Sequence, residues 1–291
     1  MTSPHTTLRH LPRDVRFDWS DLPLHWVPDE PQVTHTLNTL HLLLPEGERW
    51  FCRVFREALP MVTDERLRDR LHGFIGQEAI HARAHEEVHG RLRDLGLDID
   101  PYLRQMEYHF REILSPRDAP SSPHYREQVT ELAAIVAAAE HFTATLGAWV
   151  LDTPALDRAG THPAMLDLLR WHGAEEVEHS SVAFDLLTHL DPGYARRLRT
   201  AALTGGNILW LLTRGVRYLM SVDPKLRGSV RFSLRAHHAA ARRGLLWPPA
   251  LLGGSALRYV RPAYHPSRDF DLRPALAYLA RSPAARAADQ L

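Results

Sequence analysis

The chain has 291 residues, 44% of them hydrophobic, enough for a large buried core. Lys plus Arg and Asp plus Glu both number 35, so the formal charge is zero and neither nucleic acid nor an anionic surface is favoured as a partner. The single cysteine, Cys52, excludes an intramolecular disulfide framework and a thiolate zinc site and fits a reducing, cytoplasmic setting.

The N-terminal stretch is polar and broken by prolines, unlike the apolar core of a secretion signal. No uninterrupted apolar run reaches about 18 residues, so no spanning helix is expected. From about residue 40 to residue 220, apolar residues recur at helical spacing without alternation of period two, which predicts an all-α fold. A first helix is expected to start near Pro45, carry Phe51, Val54, Phe55, Ala58 and Leu59 on one stripe, and end at Pro60. Thr63 or Asp64 can cap a second, running through Leu71, Phe74, Ile75, Val88 and Leu92 to Gly96. A shorter helix over roughly 100–114 and a Ser/Pro-rich loop at 115–123 precede the third core helix, with Leu132, Ala133, Val136, Ala137, Glu140 and Leu146. After a connection at 152–163, the fourth core helix is expected to run unbroken to Asp191 and Pro192.

Four long helices with two intervening connections predict a four-helix bundle over 41–192. An N-terminal extension (1–40) precedes it, and C-terminal helices and tail (193–291) pack on it. Two further helices are expected within 193–245 and a less regular tail from Trp247. The apolar stretch 201–220 reads as a helix packed on the bundle, with a lid over a greasy cavity or a membrane-surface contact as the sharper alternatives.

Histidine, at 19 residues, is the outlier of the composition and points to metal or proton chemistry. Glu78-Ala-Ile-His81 and Glu176-Val-Glu-His179 are two copies of Glu-x-x-His on different helices. Residues three apart on a helix project about 60° apart, so each pair leaves one face and can meet one metal centre. Two such pairs, with one inward glutamate from each of two other helices, form the dimetal carboxylate arrangement of ferritin-like bundles. Glu140 interrupts the apolar run LAAIVAAAE, where an uncompensated carboxylate is costly. Glu48 lies on the stripe of Phe51 and Phe55 and is preferred to Glu46, which is expected at an exposed first turn. His172 shares the stripe of Glu176 and His179 and can add a seventh ligand.

The metal ligands expected are thus Glu48, Glu78, His81, Glu140, His172, Glu176 and His179, with the four glutamates also the candidate catalytic groups. Glu175 and His85 read as partners of ligands or as helix surface, with direct ligation the lesser alternative for His85, and Gln77 and His141, adjacent to ligands, as simple partners. Cys52 lines the site or fills the core, and Thr143 lines a pocket or bonds back into its helix. The rival to the whole set is a solvated, salt-bridged helix surface.

The blocks LPEGERWF, FIGQEAIHARAH, AAEHFTA and WHGAEEVEHSSVAFD resemble those of bacterial proteins catalogued as predicted metal-dependent hydrolases, related in fold to ferritin, over about residues 10–240. The ligand spacing is also similar to that of the p-aminobenzoate N-oxygenase class of di-iron enzymes, whose seventh ligand is a histidine placed as His172 is here. Hard carboxylates with borderline imidazoles suit iron, with Mn or Zn as alternatives. The first expectation is a di-iron oxidase or oxygenase, N-oxygenation included, acting with dioxygen and an external electron donor on a small, partly apolar substrate. A hydrolase using a dimetal-bound hydroxide and a non-catalytic iron-binding protein are the alternatives. Glu78 and Glu176 are expected to bridge, His81, His172 and His179 to be terminal nitrogen ligands, and Glu48 and Glu140 terminal carboxylates. A homodimer is compatible with all three readings.

Overall fold

The computed structural model describes residues 12–226 and 229–290, and among these the regular elements are helices, with no strand. Helix α1 (Pro31–Ala58) begins on a proline and buries Leu37, Leu42, Phe51, Val54 and Phe55. It starts earlier than the sequence suggests, because Pro45 lies inside it rather than at its first turn. A proline there withdraws the N–H that would bond the carbonyl of His41. That carbonyl instead takes a hydrogen bond from His89 Nε2 of the next helix at 2.6 Å, so the helix continues with its acceptor satisfied.

Helix α2 (Glu65–Asp94) is capped by Asp64, whose carboxylate accepts from the backbone N–H of Arg66 at 2.8 Å and Leu67 at 3.1 Å. Leu67, Leu71, Phe74, Glu78, His81, His85, Val88 and Leu92 follow one another at alternating steps of four and three, the repeat of a helix–helix seam, and all are buried. The polar members fall together at mid-seam. Gly96, at φ +89°, ends the helix in the left-handed conformation that favours glycine.

Helix α3 (Asp100–Tyr108) runs into a single π turn, His109–Ile113. Helix α4 (Tyr125–Leu151) follows, then the short α5 (Pro154–Arg158) within the connection, and α6 (Pro163–His179). The fourth core helix does not run unbroken to Asp191: it is interrupted at Ser180 and Ser181 and resumes as α7 (Val182–Leu190). Ser180 Oγ bonds back to the carbonyl of Val177 at 3.0 Å, a local hydrogen bond that competes with helix continuation.

Helix α1 packs along α2 and α4 along α6, while α1 also meets α4 and α2 meets α6, closing a four-helix bundle. The crossing of α4 and α6 is set by Gly147 and Gly173. A Cβ on Gly147 would lie 2.4 Å from the Gly173 carbonyl oxygen, and one on Gly173 would lie 2.8 Å from Gly147 Cα. By length and composition α4 could cross a membrane, yet most of it is buried in the bundle, with Glu140 at its centre.

Helix α8 (Tyr194–Val222) lies across α1 and α4, burying Leu211, Leu212, Val216 and Leu219 while Leu203, Leu209 and Trp210 face out. The rest is more regular than the composition of the tail suggests: α9 (Leu234–Arg242), α10 (Pro249–Tyr259), α11 (Pro266–Asp269), α12 (Leu272–Leu279) and α13 (Pro283–Ala288). Its prolines start helices instead of breaking them, and Asp271 and Ser282 cap the helices that follow. Buried Asp167 of α6 anchors the end of the chain, accepting from Tyr278 Oη and Ser282 Oγ, both at 2.8 Å.

The glycine crossing leads to a direct expectation. Gly147→Ala and Gly173→Ala should each destabilise the fold by about 1–3 kcal/mol, because the added methyl must push two backbones apart. Thermal unfolding followed by circular dichroism checks this, and unchanged melting in both variants would show that the helices have slack there.

Candidate metal centre

Each bundle helix delivers its expected side chain to one buried cluster: Glu48 from α1, Glu78 and His81 from α2, Glu140 from α4, and His172, Glu176 and His179 from α6. Donor atoms of Glu78, His81, Glu176 and His179 all lie within 4.8 Å of one another, as do those of Glu48, His81 and His172. Glu176 Oε1 is 2.7 Å from His172 Nε2, 3.5 Å from His81 Nδ1 and 3.5 Å from His179 Nε2. Glu78 Oε1 is 3.5 Å from both His81 Nδ1 and His179 Nδ1. These two carboxylates are central. Glu48 stands at one side, 3.5 Å from His172 Nε2, and Glu140 at the other, 3.7 Å from His179 Nδ1.

The polar atoms of this cluster test whether cations fit it. Both carboxylate oxygens of Glu48, Glu78 and Glu140, Oε2 of Glu176 and Nδ1 of His81 are buried without a hydrogen bond. An ionised carboxylate in that state is costly, and a cation is what compensates it. The proton distribution agrees. Burial, reinforced by Glu78 and Glu176, raises the Glu48 carboxyl well above the ordinary range, and burial with Glu176 and Glu78 does the same to Glu140. Burial opposes charge on His81 and His179, but Glu78 beside the first and Glu176 beside the second outweigh it, so both hold their protons more tightly than a free imidazole. The cluster retains protons where it would hold metal.

Behind the donors stands a supporting layer. Glu175 accepts from His81 Nε2 at 2.9 Å, leaving His81 Nδ1 aimed into the cluster, and is itself held by Arg13 at 2.6 Å and Trp171 Nε1 at 3.1 Å. Carboxylate–histidine pairs of this kind orient metal ligands. On the other side His172 Nδ1 meets His85 Nε2 at 2.6 Å, and His85 Nδ1 meets His41 Nδ1 at 2.7 Å. Burial holds His85 well below its ordinary range and His41 down at about 3, so this is a chain of neutral rings. If His172 binds a cation through Nε2, its Nδ1–H donates to His85 and each ring's tautomer follows from the last.

Other expectations resolve as follows. Glu46 is not at an exposed first turn; it is buried in mid-helix and paired with Arg111 at 2.7 Å and Arg49 at 3.3 Å, outside the cluster. Gln77 reaches Glu178 at 3.4 Å. His141 turns away toward α10, accepting from Tyr264 Oη at 2.6 Å. Cys52 bonds the carbonyl of Ile75 at 3.5 Å, and burial pushes its thiol up to about 12, as befits a core residue. Thr143 both bonds the Glu140 carbonyl at 3.1 Å and lines a cavity of about 60 Å³ with Leu37, Leu169, His172 and Glu176. Arg13, His41 and the glycine crossing were missed: a lone arginine in a loop-like segment and single glycines inside apolar helices carry no local pattern.

His25, His35 and Asp223 form a second group of donors within 4.8 Å. There Trp26 Nε1 donates to Asn38 Oδ1 at 2.7 Å, which turns the Asn38 amide N–H toward His35 Nδ1 at 3.5 Å. His35 therefore carries its proton on Nε2 and donates it to Asp223 at 2.7 Å. This network ties the segment before α1 to the end of α8 and leaves no free nitrogen on His35 for a cation.

Two measurements follow. Glu140→Ala and Glu176→Ala should lose bound metal by elemental analysis, and Glu175→Gln should weaken binding about 10–100-fold; full metal content in the first two variants would refute the assignment. Metal uptake should release protons from Glu48, Glu140, His81 and His179, so affinity rises with pH and falls as these groups protonate. Calorimetry in buffers of different ionisation enthalpy reads this directly, and buffer-independent heats would contradict it.

No curated protein and no solved structure matches the chain. A family model described as predicted metal-dependent hydrolase matches residues 11–269, a span that takes in every side chain of the cluster, Arg13 and α8 to α10. The chain belongs to that family of predicted metal-dependent hydrolases.

Proposed function

We propose that the chain is a dimetal hydrolase acting on a small, partly apolar substrate. Glu48, Glu78, His81, Glu140, His172, Glu176 and His179 would hold its two ions, with Glu78 and Glu176 at the centre of the donor set. The observation that carries the reading is the set of buried carboxylate oxygens without a hydrogen bond that converge from four helices. Four carboxylates match the charge of two divalent ions, and family membership supports hydrolysis as the chemistry.

A bound pair of ions supplies Lewis acidity and lowers the pKa of a coordinated water. The chain's own residues supply the rest. Arg13 and Glu175 fix the ring of His81, and the rings of His85 and His41 fix that of His172. Leu37, Leu40, Leu146 and Leu169 wall the cavity beside His172 and Glu176 with hydrocarbon, which excludes bulk water and selects an apolar substituent next to the reacting group. The Thr143 hydroxyl in that wall donates its proton to the Glu140 carbonyl and can accept from a substrate O–H or N–H.

A second reading, oxidation by a di-iron centre with dioxygen and an external electron donor, is favoured by the donor set itself. Four carboxylates and three imidazoles suit iron, and their negative field stabilises its higher oxidation states. One experiment separates the two. Protein loaded with Zn, Mn or Fe is assayed on p-nitrophenyl esters of short acyl chains, with and without oxygen. Hydrolysis that persists anaerobically and with zinc is the expected result. Turnover confined to the iron form, with oxygen consumed, would replace hydrolysis by oxidation.

A further inference from the structure

Outside the bundle, α8 meets α9 and α10 along an apolar groove of about 410 Å³, whose walls include Leu146, Ile208, Leu212, Trp247 and Leu252. Its volume falls within the usual range for small-molecule sites, and no charged side chain lines it among the described residues. Leu209 and Leu234 at its rim are 62% and 75% exposed, so the groove opens to solvent with hydrocarbon at its mouth.

The groove is not isolated from the metal centre. Leu146 and Trp247 line both it and the small cavity that touches His172 and Glu176. The partition between the two spaces is therefore formed by side chains. Trp247 packs edge-on against Trp149, 5.6 Å between ring centroids, and Trp149 also lines the inner cavity. At about 60 Å³ the inner cavity has room for a reacting group and little else.

We infer that the substrate is amphiphilic: its polar reacting group sits in the inner cavity beside His172 and Glu176, and a long hydrocarbon chain passes Leu146 and Trp247 into the outer groove. This rests on the enzymatic reading above and adds the substrate class. The groove provides surface for a chain and no complementary charge for a peptide or nucleotide. Segment 201–220, within α8, is then one wall of the chain site.

Gly253 gives a clean test, because the residue lines the groove and a Cβ added there meets nothing within 4 Å, so a large side chain is accommodated at the groove wall without a clash. The fluorescent polyene cis-parinaric acid is titrated into full-length, metal-loaded protein and displaced by n-alkanols from butanol to dodecanol. Affinity should rise about fourfold per methylene until the groove is filled. Gly253→Phe should weaken the long alkanols by about tenfold or more, on the order of two methylenes of lost burial, while metal content stays unchanged. Gly206→Phe, on the exposed side of α8 with open space around its Cβ, should leave displacement as it was.

Absence of chain-length dependence, or full affinity in Gly253→Phe, would overturn the inference. So would a dimer in sedimentation that Gly253→Phe makes monomeric, since a second copy would then be the occupant. The readout needs no turnover. Chain binding without ester hydrolysis would retain the groove and remove the reaction; hydrolysis without chain binding would do the reverse.

Discussion

Four glutamates buried on four helices, all but one of whose carboxylate oxygens find no hydrogen bond, are the constraint around which this molecule is arranged. Removing an ionised carboxylate from water costs on the order of several kcal/mol even after relaxation. The chain concentrates that cost in one place instead of scattering it. It places the groups at mid-seam on α2, near the centre of α4, the most apolar of the long bundle helices, and along one stripe of α6. Without cations the same groups share protons, which is why Glu48 and Glu140 resist ionisation while His81 and His179 resist neutrality. Proton and metal are alternative solutions to one electrostatic problem.

The fold supplies the rigidity this requires. Glu140 lies two turns before Gly147, and His172 and Glu176 flank Gly173, so a close backbone approach sits beside the donors. Replacing side-chain contact by backbone contact there brings α4 and α6 near enough for their carboxylates and imidazoles to face one another. The proline in α1 acts in the same region: the His41 carbonyl that it frees is bonded by His89, and the His41 ring ends the chain of imidazoles that leads to His172.

Much of this was legible in the sequence, for reasons that differ by residue. Glu78, His81, Glu176 and His179 announce themselves because helical geometry turns a three-residue interval into a shared face. Glu140 is visible because it interrupts an apolar run, and Glu48 is distinguished from Glu46 by its phase relative to Phe51 and Phe55. The break at Ser180 and Ser181 and the start of α1 at Pro31 were not legible, since the first depends on a serine bonding back and the second on a distant histidine satisfying an orphaned carbonyl. Arg13 illustrates the same limit: its role comes from a contact with Glu175 across 162 positions of sequence. Local pattern encodes faces; it does not encode which faces meet.

The two walls of the site impose different kinds of selection. On one side the donors are backed by polar partners, Arg13 with Glu175 and the His85–His41 chain, which leave the rings of His81 and His172 little freedom to turn. On the other side the wall is leucine, valine and tryptophan, with Gly147 and Gly173 opening the space and Thr143 the exception. A polar wall that cannot move would fix where cations sit, whereas an apolar wall made of side chains can yield to the shape of what enters. On the proposed reading the chemistry rests chiefly on α2 and α6, whose sequence repeats a recognisable motif, with Glu48 of α1 and Glu140 of α4 completing the donor set. On the proposed reading substrate choice falls to α4, α8, α10 and the turn before α10, where hydrophobic residues of many shapes would serve, and a difference of one methylene at Leu146 or one ring at Trp247 would change what fits.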